Sequence, residues 1–348
     1  MLYKPGWDAL LTKPLALGAT VLLAIIGMGL AIGAPFLLGF HATAMGLRSA
    51  SARLIMVLAA SALVSAAAKA GKLQLMQNAL GLRVPFARTL AITFITDAAF
   101  LGSPFGAAGY GVNLGLLQRA GASWTQATTV VSGDQALDLA FFAVAVPVSI
   151  ASCAGLIGSL IPPLSLPVMA GAFVGVIALA FCIGTYWRKL AAMVYRVVGR
   201  IGAKSLRPAR WKVFFDNVRR QWTYLLTVRR WQLCALLLLT TTQWLLRYGA
   251  LWFILLELGY ALPPGFVVAV QALVLHAALW TGIPAGGGGG DLALAAAFGP
   301  WVPGAAVGVS LILWRFATLF CPLALGAIGL LALALAGFHK RARAQLAR

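Results

Sequence analysis

Thr281-Gly-Ile-Pro-Ala-Gly-Gly-Gly-Gly-Gly-Asp291 decides how this chain is read. A proline, five consecutive glycines and a carboxylate stand between two strongly apolar segments. An exposed glycine run would be an ordinary linker, but this one occupies the place of a membrane helix. Backbone that leaves the helix at membrane depth persists only where it is buried in protein or lines a polar cavity. Broken helices and intramembrane charges are how many transporters build a substrate site near the midplane. The stretch therefore predicts a membrane transporter with a break inside the bilayer.

Composition agrees. Of 348 residues, 61% are hydrophobic and only 10% charged, which excludes a soluble globular or disordered chain. Several apolar runs approach the ~20 residues a bilayer span needs. The net charge of +20 invites a nucleic-acid reading, but the bases cluster at helix ends, as the positive-inside rule requires, and no nucleic-acid partner is expected. Cys153, Cys182, Cys234 and Cys321 lie singly in apolar segments, and His41, His276 and His339 are isolated, so no metal or other cofactor is expected.

Outward from the glycine run, a first helix from about Leu15 to Phe40 leads to a loop carrying His41, Arg48 and Arg53. A span from Leu54 to Ala70 follows, with Lys69 and Lys72 reading as residues that snorkel to the interface. Thr89 to Ser103 is apolar except for Asp97 and runs into a second break, Pro104-Phe-Gly-Ala-Ala-Gly-Tyr-Gly-Val-Asn113. A full span from Ser123 to Ile150 carries Asp134 and Asp138. An uncharged outer loop, 151–166, precedes a span over 167–187. Between Arg188 and Arg230 there are 12 Lys/Arg against one acid, Asp216, and Trp211, Phe214, Phe215, Val218, Trp222 and Leu225 follow helical spacing. That pattern predicts an amphipathic helix on an anionic lipid surface. Trp231 to Leu258 contains Arg247 and Glu257, placed nearer the outer face as gate or headgroup contacts, and the last span carries Arg315.

The predicted fold is an all-α polytopic membrane protein with two inverted-topology halves, 1–187 and 231–348. Each half carries a re-entrant helical hairpin, near 103–113 and 284–291, and a basic cytoplasmic segment, 188–230, joins them. Counting ~1.5 Å per residue from the nearest helix end puts Asp97 about 13 Å deep, Asp134 about 16 Å, Asp138 about 22 Å and Arg315 about 16 Å. Asp291 falls in the same layer. Each would cost at least ~2.5 kcal/mol facing lipid, so they point inward. Four acids facing one deep arginine predict an acidic cavity suited to a cationic group or bound protons. The alternative is a structural pairing of Asp134 or Asp138 with Arg315, with glycines serving only close packing. The candidate substrate-binding residues are Asp97, Gly106, Gly109, Asp134, Asp138, Arg247, Glu257, Gly286, Gly287, Gly288, Asp291 and Arg315.

Pro104-Phe-Gly-Ala-Ala-Gly-Tyr110, Ser132-Gly-Asp-Gln-Ala-Leu-Asp138, Pro284-Ala-Gly-Gly-Gly-Gly-Gly-Asp291 and Trp314-Arg315 come in an order that resembles a known family. It is the flippase-like membrane domain found N-terminal to lysylphosphatidylglycerol synthases and in many stand-alone proteins, some associated with hopanoid lipids. The resemblance implies a flippase of the bacterial inner membrane for an aminoacylated phospholipid, a polyprenyl-linked lipid or a hopanoid-type lipid, with membrane lipids as partners and no catalytic activity, and the basic segments, all on one side, predict cytoplasmic termini. The resemblance places Asp134, Asp138, Asp291 and Arg315 at functional positions. The first break departs from the family pattern, with Ala107 or Ala108 and Tyr110 where an arginine and a glutamate are expected, and Gln135 in place of the arginine on the following helix. The rival readings are a membrane-embedded lipid enzyme and a non-transporting subunit that docks a cytoplasmic lipid-modifying enzyme on 188–230.

Overall fold

The computed structural model describes the backbone at residues 14–153, 208–227 and 230–346, and side chains at 22–153, 213–227 and 230–335. The expected outer loop beyond 153, the span 167–187 and the basic stretch 188–207 lie outside the described residues. Within them every regular element is helical.

Helix α1 (Pro14–Phe36) ends in a bend of 96° before α2 (Phe40–Arg48). Gly39, at φ 139°, makes the bend, a conformation open to glycine and costly to other residues. The loop expected around His41 and Arg48 is therefore helix. Ser51 caps α3 (Ala52–Ala79) by accepting the Leu54 amide at 3.1 Å. This helix does not stop at Ala70. Gly71 alone is too weak a breaker, and the Leu73–Asn78 stretch continues the turn.

Helix α4 (Phe86–Leu101) meets a 3₁₀ turn at Pro104–Gly106, and α5 (Ala107–Arg119) returns from it. The break expected over 103–113 is thus confined to its first residues. A capping box of Ser123 and Gln126 starts α6 (Trp124–Ser152). Then come α7 (Pro208–Thr227), α8 (Arg230–Glu257) and α9 (Pro264–Leu279). A second 3₁₀ turn at Pro284–Gly286 leads to α10 (Gly289–Phe298). Finally α11 (Gly304–Arg315) continues through a π-helical turn, Phe316–Phe320, into α12 (Cys321–Leu346).

Helices α3 and α6 and the continuous run Gly304–Leu335 are long and apolar enough to cross a membrane, and the bent α1–α2 pair adds a fourth if taken as one span. The protein is a multi-pass membrane protein. By contrast α5, with 13 residues, is ~20 Å long, and α10, with 10, is ~15 Å, both short of a ~30 Å hydrocarbon core.

The two 3₁₀ turns share one backbone. Phe105 has φ 55°, ψ 12° and Ala285 has φ 55°, ψ 11°, each followed by a glycine at positive φ, 68° at Gly106 and 62° at Gly286. Left-handed geometry costs a residue with a side chain ~1–2 kcal/mol, so packing must hold both turns. They hold each other in part, since the turns are in contact and the Phe105 ring lies against Gly282. Helix α1 covers the second turn so closely that a Cβ at Gly27 would stand 2.9 Å from the Pro284 carbonyl oxygen.

Of three apolar clusters among the described residues, a small one, Ala31, Leu101 and Leu319, lies against Ala285 of the second turn, and two larger ones are separate from it. One joins Leu251, Ile254, Phe266, Leu294, Phe298 and Trp314 of α8–α11, and the other joins Leu73, Met76, Ile92, Leu117 and Val130 of α3–α6. Small residues let α12 approach α4, where Gly326 and Gly329 lie against Ala98 and the carbonyls of Phe94 and Ala91. Helix α7 is corrected in its surroundings. Trp222 Nε1 donates to Ser132 Oγ at 2.9 Å, Thr129 Oγ1 donates to Gln221 Oε1 at 2.8 Å, and Leu225 is buried, so part of the stripe expected to face lipid is turned against α6. Val213, Tyr224 and Leu226 of α7 remain exposed.

Candidate functional site

Four helices bring a chain of charges together. Lys69 and Lys72, three apart on α3, share one face, as do Asp134 and Asp138, four apart on α6. Lys72 Nζ bridges the α6 pair, 2.6 Å from Asp134 and 2.7 Å from Asp138, with its side chain wholly buried. Lys69 Nζ donates to Asp97 of α4 at 2.6 Å and lies 3.9 Å from Asp134. Trp244 of α8 donates its Nε1 to Asp138 at 2.9 Å. The run Asp97–Lys69–Asp134–Lys72–Asp138 thus alternates in sign across α4, α3 and α6.

The reading of Lys69 and Lys72 as interfacial is overturned. It assumed that α3 ended near Ala70, whereas the helix runs on to Ala79 and holds both ammoniums in its interior length. The acidic cavity goes with it. Lys69 and Lys72 pair with Asp97, Asp134 and Asp138, and Arg315 pairs with Asp291.

Asp291 and Arg315 form a second, separate pair. Arg315 Nε and Nη2 donate to the two Asp291 oxygens at 2.7 and 3.0 Å, a forked geometry that suits a planar guanidinium. Its Nη1 donates to the Ala285 carbonyl at 2.9 Å, which ties α11 to the strained turn. Asp291 also accepts the Gly288 amide at 3.0 Å, in the first turn of α10, where the helix dipole favours a carboxylate. Arg315 additionally lies over the Trp314 ring at 4.7 Å. The alternative pairing of Asp134 or Asp138 with Arg315 is not what forms.

The glycines are filled by protein. A Cβ at Gly106 or Gly109 would collide with Phe100, one at Gly286 with Ala278, one at Gly287 with the Gly27 carbonyl, and one at Gly288 with Leu30. The five were expected to touch substrate. Their surroundings in the structure are helix and side chain, as close packing of the glycines requires. Tyr110 donates to Gln135 at 3.1 Å, beside Phe100 in edge-on contact at 5.7 Å.

An open cleft remains between α3, α4, α8 and the π-helical turn. The space its walls enclose is small, about 20 Å³, and the rest opens to the outside. Asp97, Arg247, Ser61, Ser65 and Thr318 supply its polar wall, and Ala62, Ala66, Phe94 and Leu325 are among its apolar residues. Arg247 stacks over Trp244 at 5.7 Å and reaches the Thr318 carbonyl at 3.5 Å. A π turn shifts carbonyls out of the regular helical ladder, and such turns recur at functional sites. Glu257 is not part of this group. It is exposed at the end of α8, ten residues and ~15 Å of helix beyond Arg247.

A model of the lysylphosphatidylglycerol synthase TM region matches residues 21–326. No curated protein matches the chain. The chain belongs to the lysylphosphatidylglycerol synthase TM region family.

Proposed function

We propose that this member of the family moves an amphiphilic lipid between the leaflets of a bacterial inner membrane. The headgroup would cross through the polar interior while the tails stay in the bilayer. In this reading α4–turn–α5 and α9–turn–α10 are re-entrant hairpins that enter from opposite faces, as the two halves of an inverted repeat. The chain acts without catalysis of its own, its termini lie in the cytoplasm, and the exposed face of α7 rests on the anionic leaflet.

One observation carries the reading. Five ionisable groups on α3, α4 and α6 are sequestered at mid-helix and end at an open cleft beside two broken helices. Burying ions costs several kcal/mol each even when paired, and apolar residues of like volume hold helices at least as well. A polar path open at one end gives those charges a use. The family relation supports a role in lipid handling.

The test is lipid movement in reconstituted vesicles, using a headgroup-labelled phospholipid and a membrane-impermeant quencher. Asp134→Asn keeps the side chain's shape and removes the charge that Lys72 and Lys69 share. It should slow translocation about tenfold or more, the factor that follows from ~1.4 kcal/mol on the barrier, while the protein stays monodisperse. Unchanged movement in Asp134→Asn, or no movement by the unaltered protein, would reject the proposal.

A further inference from the structure

The charge chain holds one carboxylate more than its ammoniums can neutralise. Lys69 serves Asp97 at 2.6 Å and stands 3.9 Å from Asp134. Lys72 is left with two, Asp134 at 2.6 Å and Asp138 at 2.7 Å. Three acids against two bases leave one net negative charge in a buried run, which surroundings of low dielectric disfavour. The hydrogen bonding falls one donor short at the same place. Lys72 gives its hydrogen bond to Asp138, and Asp134 Oδ1, buried beside the ammonium, receives none. Lys72 and Trp244 Nε1 both donate to Asp138 Oδ1, and among the described residues nothing donates to its Oδ2.

We propose that Asp134 and Asp138, joined by Lys72, bind one proton between them, and that its exchange through Asp138 couples lipid movement to the proton gradient. The proton cancels the excess charge and turns one carboxylate into the missing donor. Asp138 is the exchanging member because its side chain keeps 12% exposure, against 3% for Asp134. A metal ion does not fit this place. The Lys72 ammonium already fills the notch between the carboxylates, and among the described residues no three His, Cys, Asp or Glu side chains are grouped to hold one. The other titratable groups around the pair are Lys69 of α3, Asp97 of α4, Tyr110 of α5, Arg247 and Tyr248 of α8 and His276 of α9, whose ring lies 4.9 Å from that of Phe142 on α6. Helix α7 meets α6 nearer its start, through the uncharged Gln221 and Trp222. With neighbours this close, the pair titrates as a unit. The proposal rests on the transport reading only for what the proton drives.

Two measurements test it, one on the proton and one on the coupling. Dicyclohexylcarbodiimide, an apolar reagent that adds to protonated carboxyls, should modify Asp138 in the purified protein, and less so as the pH is raised, read by peptide mass spectrometry. No modification at Asp138, or a yield that ignores pH, would overturn the proton site. In vesicles with the membrane potential clamped, a difference of about two pH units is roughly a hundredfold in proton activity. It should shift the headgroup-labelled phospholipid between leaflets by about tenfold, within what one proton per lipid allows. A sodium gradient of equal size should not. Asp138→Asn should lose the response to pH, and Asp138→Glu should keep part of it. A response to sodium in place of pH, or a pH response intact in Asp138→Asn, would sink the inference. Should Asp138→Asn fail to fold, the carbodiimide yield and the two gradients on the unaltered protein still decide it. Lipid movement that ignores the pH difference would overturn the coupling and leave the transport reading standing. Modification of Asp138 in a protein that moves no lipid would sink the transport reading and leave the proton site standing.

Discussion

The two broken helices share a backbone and differ in what ties them down. Gln135 stands 31 positions after Pro104, and Arg315 stands 31 after Pro284. Each reaches from the following long helix to the helix that returns from its turn. In the second break the tie is Arg315 to Asp291, buried and doubly hydrogen-bonded, with a third bond to the turn itself. In the first it is Tyr110 to Gln135, neutral and exposed. The first turn is held instead by the Phe100 ring packed over Gly106 and Gly109 and by Phe105 against Gly282. One geometry is thus maintained by charge in one place and by shape in the other.

The largest effect should come from breaking the charged tie. Arg315→Met leaves the Asp291 carboxylate buried with only the Gly288 amide, and loss of one partner of a buried pair costs ~3–5 kcal/mol. Asp291→Asn should fall in the same direction. The Asp291→Leu, Arg315→Met pair should recover a large part of the loss, since neither charge is left stranded. Thermal unfolding in detergent reads all three. Additive losses in the double variant would mean that the two residues act separately.

Next come the lysines, which separate the charge chain from both ties. Lys72→Met leaves Asp134 with Lys69 at 3.9 Å and Asp138 with the Trp244 indole, one helical turn apart and both buried, at a cost of about 3 kcal/mol. Lys69→Met should cost less, ~1–2 kcal/mol, because Lys69 and Asp97 keep some contact with solvent, at 15% and 12% exposure. An equal or reversed order, from the same unfolding measurement, would show that Lys69 rather than Lys72 is the keystone of the chain.

These lysines also mark where sequence reasoning stops. Depth along a helix can be counted, so Asp97, Asp134, Asp138, Asp291 and Arg315 could all be expected to point inward from the sequence, and each is largely enclosed by protein. Both breaks are visible for a related reason, because proline and clustered glycine are strong local breakers. Partner choice is a different matter. Whether Asp134 meets Lys72 or Arg315 depends on how α3 and α11 pack, and no local pattern encodes that. Lys69 and Lys72 were misplaced by ending α3 too early, although Leu73, Leu75 and Met76 after them carried a signal that the helix goes on. The glycines were legible as a break but not as a packing device, since their neighbours Phe100, Ala278, Gly27 and Leu30 come from other turns and helices.

The neutral tie should matter little. Gln135→Ala removes one exposed hydrogen bond, so stability should fall by less than ~1 kcal/mol. A loss near that of Arg315→Met would erase the contrast between the two breaks. Installing charge at the first break is the complementary trial. Tyr110→Glu with Gln135→Arg should be better tolerated than Gln135→Arg alone, because the added carboxylate supplies the new guanidinium with a partner.

The smallest effect isolates the strain that both turns carry. Ala285→Gly relieves a left-handed residue worth ~1–2 kcal/mol and gives back ~0.5–1 kcal/mol in the freedom glycine gains when unfolded. The methyl group packs against the Ala31, Leu101 and Leu319 cluster, which offsets part of the relief, so the net is a gain of no more than roughly 0.5 kcal/mol. Phe105→Gly relieves the same φ of 55° but deletes the ring that lies against Gly282, so it should yield no gain or a loss. Opposite signs at these two positions would confirm that the second turn is fixed by its arginine and the first by its aromatic side chains. A loss at Ala285 equal to that at Phe105 would mean that the alanine methyl is itself part of the contact between the turns.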